Sequence, residues 1–327
     1  MAHEYRDRRR RLPRSVPAKG QTAAEILSAG LALRDLRHAV ANRTATRVAW
    51  GMYCGTAPTS EPIEDKQPEV SGSQAILQVL TAKGNRAVSH QSAAAIWGFW
   101  DRPLEPPYHV TSPPGRAPVQ RPGLVVAHRG AIPAEFLQQV GGVVVVSAAW
   151  AWCDLALQTS VEEAVVLADQ VLSRRIRRPG RRSPLAHRED LEAAVSARGR
   201  ANGIRTARAA LALASDAVDS RPESRLRYRL HEAGLPEPEV NVLISDPSGR
   251  LLIRPDLVFR QWKVAVQYEG VDVHSAPERV LQDVRRQEVT EQLGWTEVRI
   301  TRDHMRNRGR AAVLKVLAAL RARGYSG

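Results

Sequence analysis

The run EVNVLISDPSGRLLIRPDLVFRQWKVAVQYEG, residues 239–270, constrains the fold more than any other part of the chain. EVNVLIS, LLIRPDLVF and WKVAVQYEG are rich in β-branched and apolar residues, and the D-P-S-G between the first two is turn chemistry. Three strands are therefore expected in sequence. A helix over RPESRLRYRLHEA, stopped by Gly234, precedes them. Behind them come a helix in PERVLQDVRRQEVTEQLG, a strand in TEVRITR and a closing amphipathic helix in RAAVLKVLAALRARG. Helix, three strands, helix, strand, helix makes an α/β sandwich of one domain.

The 327-residue chain has room for more than this. Residues 1–19 read as a basic, mobile tail, and residues 20–56 as two short helices followed by a strand or hairpin. The stretch ATRVAWGMYC alternates Val48, Trp50, Met52 and Cys54, as a half-buried strand does. Residues 57–72 form a Pro/Ser/acidic linker, and residues 73–173 alternate helices and strands in a middle α/β domain. Residues 174–200 form an Arg-dense linker, and 201–327 the last domain with its leading helix. The fold class is mixed α/β (α+β) and multidomain.

A net charge of +14 favours a polyanionic partner, nucleic acid before an acidic membrane surface. Cys54 and Cys153 lie far apart with no metal-site spacing, which fits a reducing cytoplasm. The longest apolar run, GGVVVVSAAWAWCDLAL, is broken by Asp154 and too short for a bilayer span, so no membrane partner is expected.

In the last domain, Asp256 stands at the start of one strand and Glu269 at the end of the next. Glu223, on the leading helix, can face the same place, and His274 lies just past the hairpin. Phosphodiester hydrolysis needs a divalent ion held by hard oxygens and a group to pass a proton to or from water, which is the logic of the PD-(D/E)xK nucleases. The run ESRLRYRLHEAGLPEPEVNVLI, RPDLVF, VAVQYEGVDVHS, DVRRQEVTEQLGWTEVRIT resembles the domains related to very-short-patch-repair endonucleases. The resemblance covers about the last third of the chain and implies a restriction-endonuclease-like α/β/α sandwich. It also implies Mg²⁺ as cofactor, with Asp256 as ligand, the Tyr268 carbonyl assisting, Glu269 as a further ligand and His274 in catalysis with Glu223. Gly270, Asp283, Arg286 and Arg299 match further family positions, and Arg286 is a candidate nucleic-acid contact. The family usually reads Glu-Tyr-Asp-Gly where this chain has Gln267-Tyr268-Glu269-Gly270, which removes one carboxylate. The competing expectation is that Asp256 and Glu269 pair with Arg254, Arg286 or Arg299 in a nuclease fold without cleavage.

AVSHQSAAAIWGFW, YHVTSPPGR, LVVAHRG and VVVVSAAWAWCDLAL resemble the AbiEi-type antitoxins of type IV toxin–antitoxin systems. That resemblance implies a winged helix-turn-helix ahead of the middle domain, its DNA-binding role falling on Arg34, Arg37, His38, Arg43 and Arg47. Gly51 and Tyr53 fill the family's wing ending, whereas Trp150 and Ala151 stand where it often has Arg-Thr. His90 and His128 invite a metal reading, but nothing nearby in sequence completes a ligand set, so a capped helix start and a strand edge are expected instead. Trp97, Trp100, Trp150 and Trp152 are expected in the middle core. The leading expectation is a cytoplasmic DNA-binding, antitoxin-like regulator fused to an endonuclease-like domain. The alternatives are a Mg²⁺-dependent DNA endonuclease and a module that neutralises a nucleotidyltransferase-type toxin.

Overall fold

A computed structural model describes residues 16–55, 72–99, 102–174, 184–246, 248–249, 252–269 and 287–327. Trp100, Gly270, His274, Asp283 and Arg286 lie outside the described residues, as do most of the basic tail and the linker after residue 55. The chain is mixed α/β and divides into two compact units, Met1–Ala151 and Trp152–Gly327.

In the first unit, β1 (Gln21–Thr22) leads into α1 (Ala23–Ser28) and α2 (Leu33–Ala41), followed by β2 (Ala45–Ala49) and β3 (Met52–Gly55). The strands form an antiparallel sheet in the order β1-β3-β2. Thr22 caps α1 in a reciprocal capping box with Glu25, so two backbone donors that the helix leaves open are satisfied. Ile26, Leu36 and Ala45 pack together with Val16, which the sequence had assigned to a mobile tail. The end of that tail is tied down because Gly55 N–H donates to the Pro17 carbonyl at 2.8 Å. A Cβ on Gly55 would stand 1.9 Å from the Val16 carbonyl oxygen, so only glycine permits this approach. The alternating run 45–54 is a hairpin rather than one strand, because Gly51, at φ 70°, turns the chain between β2 and β3.

The rest of this unit is α3 (Gly72–Thr81), β4 (Ala87–Val88), α4 (His90–Trp97), β5 (Tyr108–Ser112), β6 (Val125–Arg129), β7 (Leu137–Val140) and β8 (Val143–Val146). Its mixed sheet runs β6-β5-β4-β8-β7, with β5–β6 and β4–β8 parallel. Trp97 is buried and its indole N–H donates to the Val146 carbonyl at 2.8 Å, which seats α4 on the sheet.

The unit division falls within α5 (Ala148–Ala156). The second unit continues with α6 (Val161–Leu172), α7 (Arg188–Arg198), α8 (Ile204–Leu213) and α9 (Arg221–Glu232). Every residue of α6 from Ala164 to Leu172 is buried, Asp169 and Gln170 included, so this stretch is covered all round. It packs on α8 and α9 rather than closing the middle domain as expected. Glu163 receives Arg221 and Arg225 at 2.6 and 2.8 Å, and buried Asp169 receives Arg227 at 3.2 Å. The segment 174–200, expected to be a linker, holds α7, whose Leu191, Ala194 and Val195 form the buried stripe. Arginine density hid that stripe from the sequence reading.

After α9 come β9 (Glu239–Val240), β10 (Ile244–Ser245), β11 (Leu252–Ile253), β12 (Leu257–Phe259), β13 (Val264–Glu269), α10 (residues 287–292), β14 (Thr296–Thr301) and α11 (Arg306–Ala322). The first two expected strands are each broken once. Val240 pairs with Leu257 and Ile244 with Ile253, one continuous register, so they form a single hairpin bent in the middle. Asn241, at φ 52°, and Pro255, which has no N–H to give the ladder, are the two sides of the bend. The main sheet is β14-β13-β12-β9, with β13 and β14 parallel. Leu226, Leu257, Val266, Ile300, Val316 and Leu320 form the core between this sheet, α9 and α11.

Candidate functional site

The bend at Pro255 decides where Asp256 points. Leu257 is opposite Val266, so Asp256 is level with Gln267 on the neighbouring strand. Its Oδ2 accepts the Tyr268 N–H at 2.6 Å and the Gln267 side-chain amide at 2.8 Å, and the residue is only 8% exposed. In an extended strand the N–H and C=O of one residue share an edge, so the Tyr268 carbonyl also lies on the Asp256 side. The contact the structure shows is between the Asp256 carboxylate and the Tyr268 N–H.

Glu269 and Glu223 are committed elsewhere. Arg299 pairs with Glu269 at 3.3 Å across the parallel β13–β14 ladder, where Arg299 is level with Gln267. Glu223 sits at the N-terminus of α9 and accepts from Ser220 Oγ (2.6 Å), Asp219 N–H (3.1 Å) and Asn241 Nδ2 (2.9 Å). Asn241 in turn donates its N–H to the Asp256 carbonyl at 2.9 Å, so Asn241 joins the helix to the strand. Arg254, a candidate partner for Asp256, instead forms an ion pair with Asp219.

Among the described residues, Glu223, Asp256 and Glu269 do not form a group of convergent ligand atoms, and hard-cation sites need several anionic oxygens. The one such group of three or more is His90, His109 and His128, whose ligand atoms lie within 4.8 Å of one another. This corrects the reading that nothing completes a set around His90 and His128. His109, on β5, supplies the third imidazole because Thr111 of that strand is level with His128 of β6, which puts His109 and His128 on one sheet face. Burial lowers His109, and burial with the neighbouring His109 pushes His128 down to about 4. The sequence signal was available in the two parallel-strand motifs YHVTS and VVAHR, but the register that aligns them is not written in either.

In the first unit, Arg34, Arg37 and His38 are exposed on α2, while Leu36 turns inward. Arg43 and Arg47 are exposed in the following turn and on β2. Trp50, expected to face inward, instead stands 77% exposed at the hairpin tip. The missed signal was the Trp50-Gly51 pair, where glycine permits the turn that throws the indole outward.

No family model matches the chain. It is 30% identical over 269 residues to Uncharacterized protein Rv2248 of Mycobacterium tuberculosis (strain ATCC 25618 / H37Rv), covering 82% of this chain and 89% of the relative. The chain belongs to the Rv2248 family. Uncharacterized protein MT2308 of Mycobacterium tuberculosis (strain CDC 1551 / Oshkosh) matches to the same extent. A shared stretch of 269 residues exceeds either compact unit, so the Rv2248 family has both parts in one chain.

Proposed function

We propose that the protein binds DNA through a winged-helix-like first unit, with an endonuclease-like second unit that grips nucleic acid without cutting it. The observation that carries this reading is the surface of α2 and the β2–β3 hairpin. Arg34 and Arg37 on α2, Arg43 in the turn after it, Arg47 on β2 and Trp50 at the hairpin tip are all exposed, and a helix followed by a hairpin is the order in which a recognition helix and a wing meet a duplex. Arginine contributes phosphate contacts, and an exposed indole can stack or wedge against bases.

The second unit supports the same partner. A cavity of about 800 Å³ is lined by Arg221, Arg225, Tyr268, Arg302, Asp303 and Arg306, with Arg221 and Arg225 paired to Glu163 and Arg306 to Asp303, so guanidinium groups outnumber carboxylates around one aromatic ring. Against cleavage stand the Arg299 pairing of Glu269, the capping role of Glu223 and the amide of Gln267 at the place of a carboxylate. A carboxylate already holding a guanidinium or three hydrogen-bond donors has to lose those partners before it can take a cation.

Gel shifts with duplex DNA, run beside plasmid nicking in Mg²⁺, test the proposal. Retarded DNA at low salt is expected, with nicking no higher than that of Asp256→Ala. Absence of binding at low salt would remove the proposal. Nicking that disappears in Asp256→Ala would establish the endonuclease alternative instead. Toxin neutralisation has no observation of its own in this structure.

A further inference from the structure

We propose that His90, His109 and His128 form a binding site for a divalent transition-metal ion, Zn²⁺ first, in the first unit. The three imidazoles come from three elements: the first residue of α4, the second residue of β5 and the fourth of β6. His109 Nδ1 and His128 Nε2 are 2.9 Å apart, and the His90 and His128 rings stack with centroids 3.6 Å apart. Three of the chain's nine histidines therefore share one small volume.

The ligand chemistry selects the ion. The group has imidazole nitrogens and no carboxylate or thiolate, which suits zinc and its transition-metal neighbours and not Mg²⁺ or Ca²⁺. Three neutral ligands leave the ion its full charge and one open position, since His109 and His128 are only half-buried. That position would take water or an anion. Hydroxyls stand behind one imidazole: His90 Nδ1 contacts Ser89 Oγ at 3.0 Å, and Thr111 Oγ1 donates to the same oxygen at 2.8 Å. Such outer contacts fix ring orientation and tautomer in metal-bound histidines. His90 also holds φ 49°, a left-handed conformation that a bulky residue adopts at a cost, and such cost concentrates at functional positions.

Loading requires rotation of rings, not of backbone. With Zn–N bonds of about 2.0–2.1 Å, tetrahedral nitrogens stand about 3.3 Å apart. The His109–His128 pair must open by a few tenths of an ångström. The stacked rings must also tilt, because a ring lone pair lies in its plane, and the imidazole torsion that does this is broad and soft.

The test is Zn²⁺ titration of the chelator-stripped full chain against a chromophoric competitor, with Co²⁺ as spectroscopic probe. One saturable equivalent is expected, weakened about tenfold or more in His109→Gln and in His128→Gln, with the exposed His231→Gln unchanged. Absence of saturable binding, or binding retained in both variants, overturns the site. Circular dichroism checks that the variants fold. Should they fail, the Co²⁺ spectrum of the unmodified chain decides: nitrogen-ligand bands support the trio, while their absence or a thiolate charge-transfer band overturns it.

Discussion

Replacing Arg34, Arg37, Arg43 and Arg47 together by alanine is the most direct perturbation of the proposed DNA-binding surface. All four are exposed, while the residues that hold this part together, Ile26, Leu36 and Ala45, are untouched. Exposed substitutions of this kind shift stability by about 0.5 kcal/mol or less each, so the fold survives. Each phosphate contact contributes about 0.9 to the slope of log affinity against log salt. Loss of four contacts therefore lowers the slope by about 3.6. Between about 50 and 200 mM salt, that slope is worth on the order of a hundredfold in affinity. Fluorescence anisotropy with a labelled duplex, repeated across a salt series, reads the slope directly. An equal-charge control, Arg205, Arg208, Arg310 and Arg321 to alanine, changes exposed residues of the second unit. If both quadruple variants lose the same slope, the effect is one of overall charge and the assignment of a local interface is wrong. An unchanged slope in the first variant refutes it outright.

Trp50→Ala should reduce DNA affinity by about 1–3 kcal/mol, as loss of a base-stacking ring does, with the melting temperature unmoved because the indole is 77% exposed. Asp169→Asn should destabilise the second unit by about 3 kcal/mol in urea unfolding, since it strands buried Arg227; Glu237, 2.9 Å from the same guanidinium, keeps the loss at the lower end. Asp169→Leu with Arg227→Met should recover most of that loss, and a single-variant effect under about 1 kcal/mol would contradict the burial argument. The backbone hydrogen bond from Thr22, followed by the Lys83 ammonium, holds the Glu25 carboxyl below its ordinary value. A depressed folded value means that the stabilisation is complete above the unfolded carboxylate value and fades as pH falls through the folded one. Melting of the unmodified chain should therefore drop on the acid side, and Glu25→Gln should flatten that drop; equal acid-side slopes would count against the capping box.

The order of elements in the last domain was legible because each left a local mark. Gly234 stopped α9, turn chemistry separated the first two apolar runs, and β-branched and apolar content marked the strands. Asp256 was legible as a candidate because it stands in one apolar run with Glu269 at the end of the next. Hydrogen-bond commitments were not. That Asp256 would take the Gln267 amide, or Glu269 the Arg299 guanidinium, depends on strand register, and register joins residues that sequence keeps apart. The α7 stripe escaped because charge density in 174–200 outweighed three apolar residues at helical spacing.

Sequence by itself determined the mixed α/β class, the basic surface and the residue types available for chemistry, because composition and periodicity are local properties of the chain. Tertiary structure decided which of those residues meet. It turned Trp50 outward at a glycine-made hairpin, assigned α6 to the second unit through buried ion pairs, and aligned β5 with β6 so that three imidazoles converge. The physical reason is the same in each case. A side chain's role follows from its neighbours in space, and those are set by packing and pairing between segments far apart in the chain.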